Sequence, residues 1–177
     1  MTTPIVLTFI GHDRPGLVNA ISEKVAACGA TWLESRLARL AGEFAGIVLV
    51  AVPEAEIGAL TAALRDLETA GLRIAVERSS DVKPDRDHKT FELEVVGHER
   101  PGIVREVTQA LTQLGVNIEE FSSNLEGAPF SGAAMFRAAA RLRAPDDLSG
   151  DDLRRTLERI AHEITVDIVV IESDRQA

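Results

Sequence analysis

Gly11-His12-Asp13-Arg14-Pro15-Gly16 returns as Gly97-His98-Glu99-Arg100-Pro101-Gly102, 86 positions further along a chain of 177 residues. The same spacing carries Phe44 and Gly46 onto Phe130 and Gly132, so the chain reads as a duplication without insertion up to that point. Each copy follows an apolar run, Ile5 to Ile10 or Phe91 to Val96, and opens an amphipathic stretch at its Pro-Gly pair. The hexapeptide is therefore expected to be a strand-to-helix turn.

Proline suits the first helical position, because it has no amide hydrogen to leave unpaired and its φ is already helical. Helix starts are expected at Pro15 and Pro101. The glycine that follows leaves the first amides of the helix uncovered by a side chain, and the helix dipole adds partial positive charge there. A small anion such as a carboxylate fits that place. The competing explanation is structural: Asp13 and Glu99 cap their helices, and the glycines serve a tight turn. Recurrence of the hexapeptide fits a binding role, but duplication copies a structural turn equally well.

Outward from the first turn, residues 4 to 10 form a β-branched apolar run, expected to be a strand buried on both faces. Leu17, Ile21, Val25 and Cys28 recur at helical spacing, with Gly29 placed for a left-handed cap. Cys28 stands where Leu114 stands in the second copy, which suits a small buried side chain rather than a reactive thiol. Residues 30 to 41 and 43 to 52 read as a hairpin broken at Gly42. In its return strand Val48, Val50 and Val52 oppose Ile47, Leu49 and Ala51, so both faces are apolar and the one away from the helices needs a cover. Ile57, Leu60, Leu64 and Leu67 mark a second helix closed by Gly71, and residues 72 to 77 a last strand. The order is βαββαβ, a ferredoxin-like unit.

Residues 79 to 88 are polar, aperiodic and contain Pro84, which makes them the linker between domains at 1–78 and 89–177. The second domain repeats the plan. Phe91, Leu93 and Val95 alternate with Glu92 and Glu94, and Ile103, Val107, Leu111 and Leu114 stripe its first helix. A hairpin of residues 116 to 126 with 131 to 143 puts Phe136, Ala138, Ala140 and Leu142 toward the helices and Arg137, Arg141 and Arg143 away. Ser149 and Asp152 resemble a capping box ahead of Leu153, Leu157, Ile160 and Ile164. Fold class is α+β: two tandem units, each a four-stranded antiparallel sheet with two helices on one face.

Composition narrows the functions. A net charge of -9 and a pI near 5.0 oppose direct nucleic-acid binding, which needs clustered Lys and Arg. A single cysteine leaves no intrachain disulfide and no Cys-rich zinc site. Met-Thr-Thr-Pro leads straight into a strand, and no apolar run is long enough to span a bilayer, so a cytoplasmic protein without membrane contact is expected. His12 and His98 lie one in each turn, His88 in the linker and His162 on a helix surface; they form no catalytic pattern with a nucleophile and no metal site. No P-loop or Rossmann glycine pattern calls for a cofactor. The residues point to binding without turnover.

The Asp/Glu-Arg-Pro-Gly turn, the glycine closing the helix after it and the doubled βαββαβ order resemble tandem ACT domains, amino-acid-sensing modules of metabolic regulation. The likeness covers nearly the whole chain. GEFAGIVLVAVP in the first half, with GVNIEEFSS and APFSGAAMFRAAARL in the second, resembles the glycine cleavage system transcriptional repressor group. This resemblance implies a small amino acid, glycine first, held between paired ACT domains by residues 11 to 16 and 97 to 102, its amino group near the start of the second strand. Asn117 occupies that place in the second copy and Thr31 in the first. It also implies a partner DNA-binding transcription factor, while the apolar open face of the first sheet, with Ile47 and Leu49, leads us to expect a homodimer. Two alternatives remain: an accessory of a metabolic enzyme, since the hexapeptide also resembles the ACT portion of formyltetrahydrofolate deformylases, and an assembly scaffold without ligand.

Overall fold

Alternation along the first strand puts Ile5, Leu7 and Phe9 on one side, and all three are buried. They belong to β1 (Thr2–His12), the first element of a computed structural model that describes residues 1–79, 88–127, 134–164 and 166–173. After it come α1 (Leu17–Ala27), β2 (Thr31–Leu40), β3 (Glu43–Pro53), α2 (Ile57–Arg65) and β4 (Leu72–Arg78). The second half supplies β5 (His88–His98), α3 (Ile103–Gln113), β6 (Asn117–Gly127), β7 (Ala134–Pro145), α4 (Gly150–Ile164) and β8 (Val166–Ser173). Strand orders are β2-β3-β1-β4 and β6-β7-β5-β8, with every pairing antiparallel. The α+β, doubled ferredoxin-like architecture expected from the repeat is present. The chain divides into two compact units, Met1–Lys83 and Pro84–Ala177. His88, assigned to the linker from its polar surroundings, opens β5; most of the linker and the tail after Ser173 lie outside the described residues.

In the first unit, Leu17, Ile21, Val25 and Cys28 of the α1 region and Leu60 and Leu64 of α2 close over Ile5, Leu7, Val48, Val50 and Val52. Cys28 is packed as a small apolar side chain in that core. Because both helices lie on one face, β1 is buried on that face only, which corrects the expectation of burial on both. On the other side Val6, Ile10 and Leu49 are half-buried and Ile47 is 55% exposed. Gly29 and Gly71 adopt the left-handed conformation at φ 62° and 85°, as expected of residues that end helices; α2 tightens into a 3-10 turn over Asp66–Ala70 before Gly71.

The second unit has its own core, with Phe91, Leu93, Val107, Leu111, Leu153 and Leu157 at its centre. Its hairpin departs from the 86-residue spacing. In the first sheet Gly11 faces Phe44 and Phe9 faces Gly46, whereas in the second Gly97 faces Phe136 and Val95 faces Ala138. Phe136 and Ala138, not Phe130 and Gly132, are therefore the counterparts of Phe44 and Gly46, and the second hairpin is longer by the difference between 136 and 130. Phe130 and Gly132 lie outside the described residues. The strands leading into the two hairpins do keep the spacing, since each carries the same irregularity, at Trp32/Glu34 and at Ile118/Glu120. The first hairpin turns on Ala41 and Gly42 alone, with φ 51° and 85°, the sign pattern of a type I′ turn.

The away-facing arginines of β7 are met by glutamates of the neighbouring strand. Arg143 lies 3.4 Å from Glu119, Arg137 3.6 Å from Glu126, and Arg141 bonds Glu120. The arginine stripe is thus a neutralised ladder on a solvated face. At α4, the Asp152 amide donates to Ser149 Oγ at 3.0 Å, while the Ser149 hydroxyl donates to the Asp152 carboxylate at 2.6 Å. Half of the capping box forms, and the acid receives the serine instead of reaching back to its amide.

Candidate functional site: the motif turns

Both hexapeptides sit where a central strand hands over to a helix, and each resolves into residues with separate duties. Gly11 faces Leu72 and Gly97 faces Val166, at the starts of β4 and β8. A Cβ on Gly11 would lie 2.8 Å from the Gly71 carbonyl oxygen, and one on Gly97 would lie 2.4 Å from Val166 Cγ1. These glycines are required by close approach of a neighbouring strand. His12 and His98 are exposed at the strand ends; His12 Nδ1 stands 3.7 Å from Glu43.

Pro15 and Pro101 are not the first helical residues. The helices begin at Leu17 and Ile103, and the residues just before them, Gly16 and Gly102, have φ 93° and 99° with ψ near zero. Those angles, with proline ahead of the glycine, are the signature of a type II turn. The proline and glycine of the motif therefore build the turn, and the helix starts after it. A Cβ on Gly16 would touch nothing, so glycine is needed there for its backbone conformation alone.

Capping by the motif acids does not occur: neither helix start receives a side-chain cap hydrogen bond. The Asp13 amide donates to Gly42 O at 2.8 Å and the Glu99 amide to Ala134 O at 3.0 Å, which ties each turn to the hairpin. The Asp13 carboxylate accepts from Arg39 Nε at 2.6 Å. In the first unit the earliest intrahelical bond runs from the Ala20 amide to Gly16 O at 2.9 Å. The amides of Leu17, Val18 and Asn19 precede it and have no intrahelical acceptor. A concavity of about 310 Å³ lies over them, lined by Asp13, Arg14, Gly16, Leu17, Val18, Asn19 and Phe44. Its walls join the positive end of a helix and an arginine, which suit a small carboxylate, to the Asp13 carboxylate that Arg39 holds.

The second turn shares the backbone but not the side-chain partners. Arg100 Nη2 donates to Glu106 Oε2 at 2.6 Å, and Arg100 Nη1 to Pro101 O at 3.3 Å. Glu106 lies in the first turn of α3, where α1 has no acidic residue.

Thr31 and Asn117 are far from the turns of their own units. Thr31 faces Ala51, which faces Pro4, at the opposite end of β1 from His12. At about 3.3 Å per residue this separates Thr31 from the turn by roughly 25 Å. Asn117 faces Arg143, which faces Thr90, and is removed from Gly97 and His98 in the same way. Both are exposed first residues of edge strands. Sequence reasoning passed over Arg39, Phe44 and Glu106. Glu106 was within reach, since it stands against Ala20 when the two copies are compared past the hexapeptide. Among the described residues no group of three or more His, Cys, Asp or Glu is placed to hold a metal ion, and no helix is long and apolar enough to cross a membrane.

Residues 3–77 match the family model of the ACT domain. The chain is similar to a phosphoserine phosphatase of Mycobacterium tuberculosis, 30% identical over 173 residues, which take in 94% of this chain but only 40% of the phosphatase. It is also similar to the glycine cleavage system transcriptional repressor of Escherichia coli, 25% identical over 162 residues, 90% of this chain and 85% of the repressor. The crystal structure of an unknown protein from Galdieria sulphuraria superposes with a TM-score of 0.87 at 34% identity, over 98% of this chain and 99% of that one. Residues 3–77 are thus an ACT domain, and with the second unit built on the same element order, strand order and turn, the chain has a tandem ACT architecture.

Proposed function

We propose that this protein is a non-enzymatic regulator that binds a small amino acid through its carboxylate at an ACT motif turn and reports occupancy to a partner protein. The observation that carries the reading is the concavity over the Leu17, Val18 and Asn19 amides, with Arg14 on its wall. Glycine and serine are the first ligands to try, because the names of two relatives concern glycine cleavage and phosphoserine. The partner is a DNA-binding transcription regulator: a chain of net charge -9 is poorly suited to meet DNA itself, and its basic stripe is neutralised by its own glutamates. Thr31 or Asn117 reaches a ligand at a turn only from a second ACT unit, and a homodimer is the assembly we propose.

Affinity is bounded by ligand size. At about -1.5 kcal/mol per non-hydrogen atom, a ligand of roughly five such atoms gains at most about -7.5 kcal/mol, a dissociation constant of several micromolar. Thermal melting against a panel of amino acids at millimolar concentration tests the reading. A rise of a few degrees is expected for glycine or serine, since ligand at about 100 times its dissociation constant adds roughly 2.7 kcal/mol. No shift with any amino acid removes the sensor reading.

A second reading, a regulatory portion or accessory of a hydrolase, is favoured by the 30% identity to part of the phosphatase. It predicts a catalytic protein that copurifies and whose turnover of phosphoserine changes when this chain is added.

A further inference from the structure

We infer that β4 docks a second copy of this chain, the two β4 strands pairing antiparallel about a twofold axis at Ala75, with Arg73 of each copy against Glu77 of the other. This names a surface for the homodimer proposed above and does not depend on amino-acid binding.

β4 lies at an edge of the first sheet and pairs with β1 alone. Just past its end, the Ser79 amide donates to Pro4 O at 3.0 Å. Backbone groups alternate in direction along a strand, so those of Arg73, Ala75 and Glu77 also face β1, while those of Leu72, Ile74, Val76 and Arg78 face outward without a partner strand. Two concavities of about 580 and 330 Å³ border β4, both lined by Glu68, Ile74 and Ala75, so the strand is open to an added neighbour.

A twofold pairing must match outward-facing residues with one another. Centred on Ala75, Ile74 exchanges hydrogen bonds with Val76 of the other copy. Arg73 then meets Glu77 of that copy in a non-hydrogen-bonded pair, where side chains stand closest. Centred on Ile74 or Val76 instead, Arg73 meets Ala75 or Ser79 and no opposite charges pair. Within one chain Arg73 and Glu77 cannot meet: they are exposed, stand roughly 13 Å apart along the strand, and make no ion pair among the described residues.

The other edges do not offer this match. On β2, Glu34 and Arg36 pair with each other at 2.8 Å, and a register shift interrupts the strand between Trp32 and Glu34. β6 and β8 carry acids and no cation, so a second copy laid on either brings like charges together.

Sedimentation velocity of the full chain is expected to show a dimer. Arg73→Glu and Glu77→Arg each set like charges across the axis twice and should each weaken the dimer by roughly tenfold or more, while the two combined should restore it. Ala75→Cys should form an intermolecular disulfide under mild oxidation, because facing residues of such a pair place their Cα atoms about 4.5 Å apart. Arg73→Cys, whose two copies stand roughly 13 Å apart, should not. The unaltered protein, with Cys28 buried, is the control. A monomer at every concentration, a dimer indifferent to both charge reversals, a combined variant no tighter than the single ones, or a crosslink in Arg73→Cys rather than Ala75→Cys overturns the inference. Melting shifts with glycine or serine test the sensor reading separately, since Thr31 lies on the opposite edge of the sheet.

Discussion

In the first unit the acid of the motif, Asp13, is held by Arg39 from the second strand; in the second unit the arginine of the motif, Arg100, is held by Glu106 from the following helix. Position 39 corresponds to Leu125, and position 106 to Ala20, so neither unit can form the other's pair. The backbone of the two turns is nevertheless the same, down to a left-handed glycine before each helix. Duplication has preserved the shape, which the Pro-Gly pair and the strand-contact glycine enforce, while the side chains that meet each turn from outside the motif have diverged. The open sheet faces are both mixed: Val6, Ile10, Ile47 and Leu49 share one with Glu34, Arg36, Arg73 and Glu77, and the ladder of paired arginines and glutamates shares the other with Val169 and Ile171.

The largest effects should come from the glycines that both units share. Gly97→Ala drives a Cβ against Val166, including its Cα at 3.0 Å, and Gly11→Ala drives one against the Gly71 carbonyl. Each should cost about 1–3 kcal/mol in its own unit, measured by chemical denaturation. Gly16→Ala meets no atom but must hold φ at 93°, and a loss of about 1–2 kcal/mol is expected. If Gly97→Ala proves as mild as a surface change, the second strand contact is not the reason for that glycine.

A smaller effect of opposite sign separates the hairpins. Ala41 is the single described non-glycine residue with positive φ, at 51°, and it lies in the short first hairpin. Asparagine tolerates that conformation better than alanine, so Ala41→Asn should stabilise the first unit by about 0.5–1 kcal/mol and raise its melting temperature. No change, or a loss, would argue against a type I′ turn there.

The smallest effects are electrostatic. The Ser149 hydroxyl, and after it Arg155, holds the Asp152 carboxyl below its ordinary value. The folded pKa is depressed, so the stabilisation is present above the unfolded value and is lost as pH falls through the folded one. Ser149→Ala should move the Asp152 titration back upward, followed by NMR, with no change near neutral pH in the side chain's ionisation. Glu54 in the first unit, lowered chiefly by Thr3 and then by Arg78, should respond to Thr3→Val in the same direction.

Much of this architecture was legible because burial in both units follows simple periods. Every-second-residue alternation in Phe91, Leu93 and Val95, and helical spacing in Leu17, Ile21 and Val25, placed those side chains in the core correctly. What the sequence hid was register and neighbourhood. Phe44 and Phe130 match in type, and only the pairing of Gly97 with Phe136 exposes the longer hairpin. Pro15 satisfied a rule for helix starts and equally a rule for type II turns, and Gly16 at φ 93° decides for the turn. Thr31 and Asn117 are close to their helices in sequence, yet an antiparallel sheet carries them to its far end. Asp13 looked like a cap because its bond to Arg39, 26 residues away, depends on how β2 folds back beside the turn.

The central claim is that the first motif turn receives a carboxylate. Backbone amide shifts of the full chain during titration with glycine test it most directly. The account predicts saturable shifts at Leu17, Val18 and Asn19. Unmoved amides at Leu17, Val18 and Asn19, or shifts there that do not saturate, would contradict it.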